Sequence, residues 1–159
     1  MALTAVGFQG DVALWENAHW TWSFGLAFVV ALVGAHRAIG CGRRTRVLFA
    51  VGFFSAFVGQ IVWDIQVAND FYALPAPSDL FYLGLGIPVL AAFAFAVRDT
   101  VNRGQHLAVY LDAATVFMAV VTLAAVFHTR FTPDAPPLQA AVLLAYPILY
   151  ISTAGAGLV

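Results

Sequence analysis

The sequence predicts an all-α fold, a polytopic membrane bundle of about five transmembrane helices, and three observations predict it. Only 9% of the 159 residues are charged, where soluble domains carry about a quarter. Mean hydropathy is +0.89, with 62% of residues hydrophobic. The apolar residues gather into five runs close to the roughly 20 residues that cross a bilayer core. These runs are continuous instead of alternating over about ten residues, which favours helices over a barrel, since neither leaves backbone groups unpaired in hydrocarbon.

Each element follows in order. Residues 1–17 form a leader whose Phe8, Leu14 and Trp15, followed by Trp20 and Trp22, have the aromatic content of an interfacial segment on the outer surface. Asp11 and Glu16 stand where a cleaved signal peptide would carry positive charge, so the first apolar run is expected to persist as a helix, Ala18 to His36. The five-helix domain, residues 18–159, continues with Val47 to Ile65, Leu80 to Val97, Leu107 to Phe127 and Leu138 to Leu158. Between the first two runs lies RAIGCGRRTR, whose Cys41 is the single cysteine and has no internal disulfide partner. We read Cys41 as structurally idle in a reducing cytoplasm.

Orientation follows from the basic residues, because cytoplasmic loops retain Lys and Arg. Arg37, Arg43, Arg44 and Arg46 separate helices 1 and 2, and Arg98 and Arg103 separate helices 3 and 4. The opposite loops hold Asp70, Asp79 and Asp134 against Arg130 alone. The amino terminus is therefore expected outside and the carboxyl terminus inside. With 7 basic residues, all arginine, against 8 acidic ones, no basic excess points to nucleic acid.

In PAPSDLFYLGLGIPVL, Pro75 and Pro77 stiffen the outer loop, and Ser78 or Asp79 is placed to cap helix 3 against its positive dipole end. A ligand-contacting role for Asp79 is the alternative. Pro88 interrupts helix 3, and Pro147 recurs in helix 5 eleven residues after Pro136, as Pro88 does after Pro77. This spacing suggests an internal repeat of helices 2 and 3 in 4 and 5, with two bent helices side by side.

Ionisable groups inside apolar spans are costly and face the bundle or a water-filled cavity. Asp64 lies near the outer end of helix 2 with Gln60 one turn before it. Asp112 lies near the inner end of helix 4 with Thr115 on its face. Their depths differ too much for a carboxylate pair, so each is either a structural hydrogen-bonding group or a ligand contact. The outer cluster of Trp63, Asp64, Asp79 and Tyr82 is the candidate binding site. His19 and His128 mark outer helix ends and His36 and His106 inner ones, which leaves a haem reading open. No HExxH, CxxC, Walker or nucleophile-elbow pattern occurs, and neither a metal nor another cofactor is expected.

Taken together, VWDI, PAPSDLFYLGLGIPVLAAF, LDAATVFMAV and AYPILY resemble the multi-pass amino-terminal membrane sensor domains of bacterial cyclic-di-GMP signalling proteins, those ending in GGDEF or GGDEF plus EAL domains. The resemblance covers roughly Val47 to Tyr150 and rests on Trp63, Asp64, Pro77, Ser78, Leu111, Asp112, Tyr146 and Pro147. Ile87 before Pro88 and Tyr150 depart from its usual tyrosine and acid. The resemblance implies a multi-pass protein of the bacterial inner membrane. It implies that this chain is a fragment of a longer signalling protein, since no GGDEF, EAL or kinase signature is present. A cytoplasmic diguanylate cyclase or phosphodiesterase domain would follow.

The expected function is a non-enzymatic input domain that relays an outer or bilayer signal to that output. A cavity among helices 2, 3 and 5 would receive a small apolar or amphipathic ligand. Trp63, Asp64, Asp79, Tyr82, Asp112 and Tyr146 are the candidate ligand contacts, and Pro88 and Pro147 the candidate hinges. The bilayer, the output domain and a second copy of the chain are the expected partners. A small transporter or half-transporter is the alternative, and a membrane redox or haem protein the second.

Overall fold

The computed structural model describes residues 6–40, 42–131 and 134–156. Five long helices account for nearly all of them: α1 (Val6–Arg37), α2 (Gly42–Ala68), α3 (Pro77–Thr100), α4 (His106–Phe131) and α5 (Pro137–Ala156). A short 3₁₀ turn, Arg103–Gln105, leads into α4. No strand occurs among the described residues, and all five helices are long and apolar enough to cross a membrane. The residue assigned as idle, Cys41, and the last residues of the fifth expected span lie outside the described residues.

The first four helices overrun their apolar stretches at both ends, because a backbone ladder can continue into water where hydrocarbon ends. Most marked is α1, whose 32 residues extend about 48 Å against a core of about 30 Å. Residues 6–17 of the expected leader are continuous with α1 and show no break before Ala18.

The helices pack in the order α1, α2, α3, α5, α4, with α4 on the flank against α5 and only lightly against α3. The expected neighbourhood of the two proline-bearing helices is present: α3 lies against α5, where Gly86 brings the backbone up to Leu149. Consecutive helices run in opposite directions. Arg46 near the start of α2 donates to the Gly34 carbonyl near the end of α1 at 3.2 Å, and Phe49 meets Phe93 edge-on. At the other end Thr21, Asp64 and Tyr82 come together. Six arginines thus share one end of the bundle, and the acidic loops share the other.

Small and polar side chains fill the interior. Its buried apolar members are Ala35, Ala50, Ala56, Ala76, Val89, Ala92, Val120 and Ala124, joined by Gln60, Gln66, Ser78, Asp79 and Ser152. Large side chains such as Leu80, Ile87 and Leu107 point outward at 69–74% exposure. This inversion suits helices that associate in lipid, where burying a leucine brings no hydrophobic gain and close backbone packing does the work.

The α2–α3 connection is tightly held. Phe71 donates its backbone N–H to the Gln66 carbonyl at 2.9 Å, and Asp70 adopts a left-handed φ of 52°, a conformation aspartate tolerates better than most residues.

Candidate functional site

The acidic end of the bundle holds an open cavity of about 480 Å³ built by four helices. From α1 come Glu16, Asn17, Trp20 and Phe24, and from α2 Gln60 and Trp63. Ser78, Asp79 and Tyr82 come from the first turns of α3, and Tyr146 and Tyr150 from α5. The volume falls in the range of roughly 300–1,000 Å³ typical of small-molecule sites.

Two hydrogen-bonded chains tie these helices together. In the first, Thr21 of α1 donates to Asp64 Oδ2 at 2.5 Å, and Gln60 Nε2 donates to Asp64 Oδ1 at 2.8 Å. Tyr82 of α3 then donates to Gln60 Oε1 at 2.5 Å. Gln60 can serve both neighbours because its amide carries a donor and an acceptor, and because residues one turn apart on a helix share a face. Asp64 therefore stands behind Gln60, half-buried toward α1, and not on the cavity wall.

The second chain centres on Asp79. Its Oδ2 accepts the Ala76 backbone N–H at 2.6 Å, and its Oδ1 accepts the Tyr146 hydroxyl of α5 at 2.5 Å. Both oxygens accept, as a carboxylate requires. Helix 3 begins at Pro77 with Ala76 as its N-cap, so Asp79 closes the turn from the third helical position. Ser78, expected as a second possible cap, instead has its backbone N–H held by Gln66 Oε1 at 3.0 Å. Tyr150 completes the array by donating to the Tyr82 carbonyl at 3.2 Å.

Of the expected ligand contacts, Trp63, Asp79, Tyr82 and Tyr146 share the cavity wall, and Asp64 supports it from behind. Asp112 is not brought there. It is exposed near the start of α4, at the arginine end, and Thr115 on its face bonds its own helix at the Leu111 carbonyl. The expected cavity among helices 2, 3 and 5 has a fourth wall in α1. Asn17, Trp20, Thr21 and Phe24 recur at helical spacing on one face, and that stripe is the signal that marks α1 in the sequence. Tyr150, expected as a departure from the resembled pattern, is a wall residue.

Pro88 and Pro147 both lie within continuous helices and remove the amide bonds otherwise made to Gly84 and Leu143. The histidines do not converge. His19 stacks edge-on with Trp20, His106 contacts the Val101 carbonyl, and His128 lines a second, apolar cavity of about 390 Å³ between α4 and α5. No cluster of three or more metal-binding side chains occurs among the described residues.

No family model, curated protein or solved structure matches this chain.

Proposed function

We propose that the chain is a non-enzymatic membrane input domain, of the kind that precedes a cyclic-di-GMP output domain in the bacterial inner membrane, and that the four-helix cavity receives its signal. The observation that carries this reading is the coupling of the cavity to helix packing. Asp79 in the first turn of α3 bonds Tyr146 near the middle of α5, and each helix carries a proline close to its part of the wall, Pro88 after Tyr82 in α3 and Pro147 between Tyr146 and Tyr150 in α5. A ligand that displaced Tyr146 from Asp79 would change how α3 meets α5, and helices lacking a backbone bond at Pro88 and Pro147 bend at low cost. Two packings close in energy are what a ligand can select between.

In this reading the amino terminus and the cavity face outward and the arginine-rich end faces the cytoplasm, following the retention of basic loops. A cysteine replacing Tyr72, which is 60% exposed, is expected to react with an impermeant thiol reagent in intact cells carrying Cys41→Ser. A cysteine replacing Arg44 is expected to react only after lysis. The reverse pattern would invert the topology.

Signal relay is tested in nanodiscs with nitroxides at Thr100 and Ala154, near the inner ends of α3 and α5. Octanol, octyl sulfate and octyltrimethylammonium are added below their micellar concentrations, with tryptophan fluorescence reporting occupancy. At least one is expected to shift the interspin distance by about 2 Å, the scale of helix shifts in switching proteins. Occupancy without a shift, together with counterflow of the occupant in liposomes, would replace this reading with a small transporter.

A further inference from the structure

The geometry points to an organic ammonium cation as the occupant of the four-helix cavity, an inference that rests on the proposed ligand-receiving role and names its chemistry. Six aromatic side chains, Trp20, Phe24, Trp63, Tyr82, Tyr146 and Tyr150, line one space. A ring's face is electron-rich and attracts cations, most strongly where water is thin. Asp79, 8% exposed, presents a carboxylate within this wall, and Glu16 adds a second at the exposed rim.

Among the described residues no arginine lines the cavity, and the chain has no lysine. Six of the seven arginines lie at the opposite end of the bundle, and Arg130 is exposed near the end of α4. The tyrosine hydroxyls that would otherwise suit an anion are engaged, since Tyr82, Tyr146 and Tyr150 donate to Gln60, Asp79 and the Tyr82 carbonyl. What the wall offers is aromatic rings and a buried carboxylate, which together match a quaternary or primary ammonium group. A free alkylammonium and the headgroup of a choline lipid present that same chemistry.

The test is a titration of the purified chain in maltoside detergent with choline and with 3,3-dimethylbutan-1-ol, its uncharged isostere, read by tryptophan fluorescence and calorimetry. Choline is expected to saturate the site and the isostere to bind at least tenfold more weakly. Asp79→Asn keeps the shape of the side chain and removes its charge, and is expected to weaken choline at least tenfold. Trp63→Leu removes one face of the cage, is expected to weaken choline severalfold, and provides the comparison should Asp79→Asn fail to fold. Equal affinity for choline and the isostere would overturn the proposal, as would undiminished choline binding by folded Asp79→Asn.

Repeating the titration in phosphatidylcholine and phosphatidylglycerol nanodiscs separates the two sources. A choline signal suppressed only in phosphatidylcholine assigns the site to the lipid headgroup, and a signal in both assigns it to a free cation. Choline binding that leaves the Thr100–Ala154 distance unchanged would sustain this inference while removing the relay.

Discussion

Asp79→Ala is expected to lower the unfolding free energy in mixed micelles by about 2 kcal/mol, while Asp79→Asn costs less than about 0.5 kcal/mol. The first figure has two parts. Losing the acceptor for the Ala76 N–H removes the closure of the first turn of α3, and losses of helix caps cost about 1 kcal/mol. Losing the acceptor for Tyr146 removes the bond between α3 and α5. Interhelical hydrogen bonds in membranes contribute about 0.6 kcal/mol on average, because the unfolded chain also finds partners in lipid. The half-buried Tyr146 hydroxyl, left without its acceptor, supplies the rest.

An opposing effect has to be weighed, because removing a buried charge can stabilise a protein. Here both carboxylate oxygens are already hydrogen-bonded, so the desolvation of Asp79 is largely offset, and alanine mainly strands two donors. Asparagine keeps a hydrogen bond to each partner, with the one to Tyr146 reversed in direction. Its carbonyl oxygen takes the Ala76 N–H, and its amide donates to the Tyr146 oxygen once that hydroxyl rotates. Equal stability of the alanine and asparagine variants would mean that Asp79 does not hold the turn. The contrast also separates scaffold from site, since asparagine keeps the bonds and loses the charge that an ammonium ligand requires.

Asp79 shows how much of the site was legible in the sequence. An aspartate after a proline-rich turn reads either as a cap or as a ligand contact, and its two oxygens allow it to close the turn and face the cavity together. Gln60 and Asp64, one turn apart in an apolar helix, are legible as partners because lipid leaves polar groups nowhere else to go. The wall supplied by α1 was harder to read. Its tryptophans resemble an interfacial belt, and on a helix this apolar the 3.6-residue contrast between buried and exposed sides is faint beyond the polar Asn17 and Thr21. Trp15 and Trp22 are 70% and 79% exposed while Phe24 of the same helix lines the cavity, yet all three are equally aromatic in the sequence. Asp112 fails as a cavity residue for a related reason. Its polarity marks a position that avoids lipid, but near the end of a helix an aspartate reaches water without turning inward.

Gly52→Leu is expected to destabilise the bundle by about 3 kcal/mol, while Gly34→Ala leaves it unchanged or raises its stability by up to about 1 kcal/mol. Both glycines are helical, so propensity alone predicts a gain of about 1 kcal/mol from alanine at either site. Their surroundings differ. A Cβ at Gly52 would stand 2.8 Å from Val89 Cγ2 and 3.2 Å from the Leu85 carbonyl oxygen of α3. Val89 could change rotamer, but the Leu85 oxygen belongs to the backbone and moves only with the helix. At Gly34 the nearest atom is the flexible Arg46 Cδ at 4.0 Å. Overpacking costs about 1–3 kcal/mol and rises with added volume. Alanine at position 52 should therefore fall only slightly below the unaltered chain, and leucine should force α2 and α3 apart. That separation would also reach the site, because Gln60 of α2 and Tyr82 of α3 are joined at 2.5 Å one helix-half away. The unfolding midpoints of Gly52→Ala, Gly52→Leu and Gly34→Ala, measured in one detergent, check the ordering. A fully stable Gly52→Leu would show that the α2–α3 seam is held by its polar pairs and not by close backbone contact.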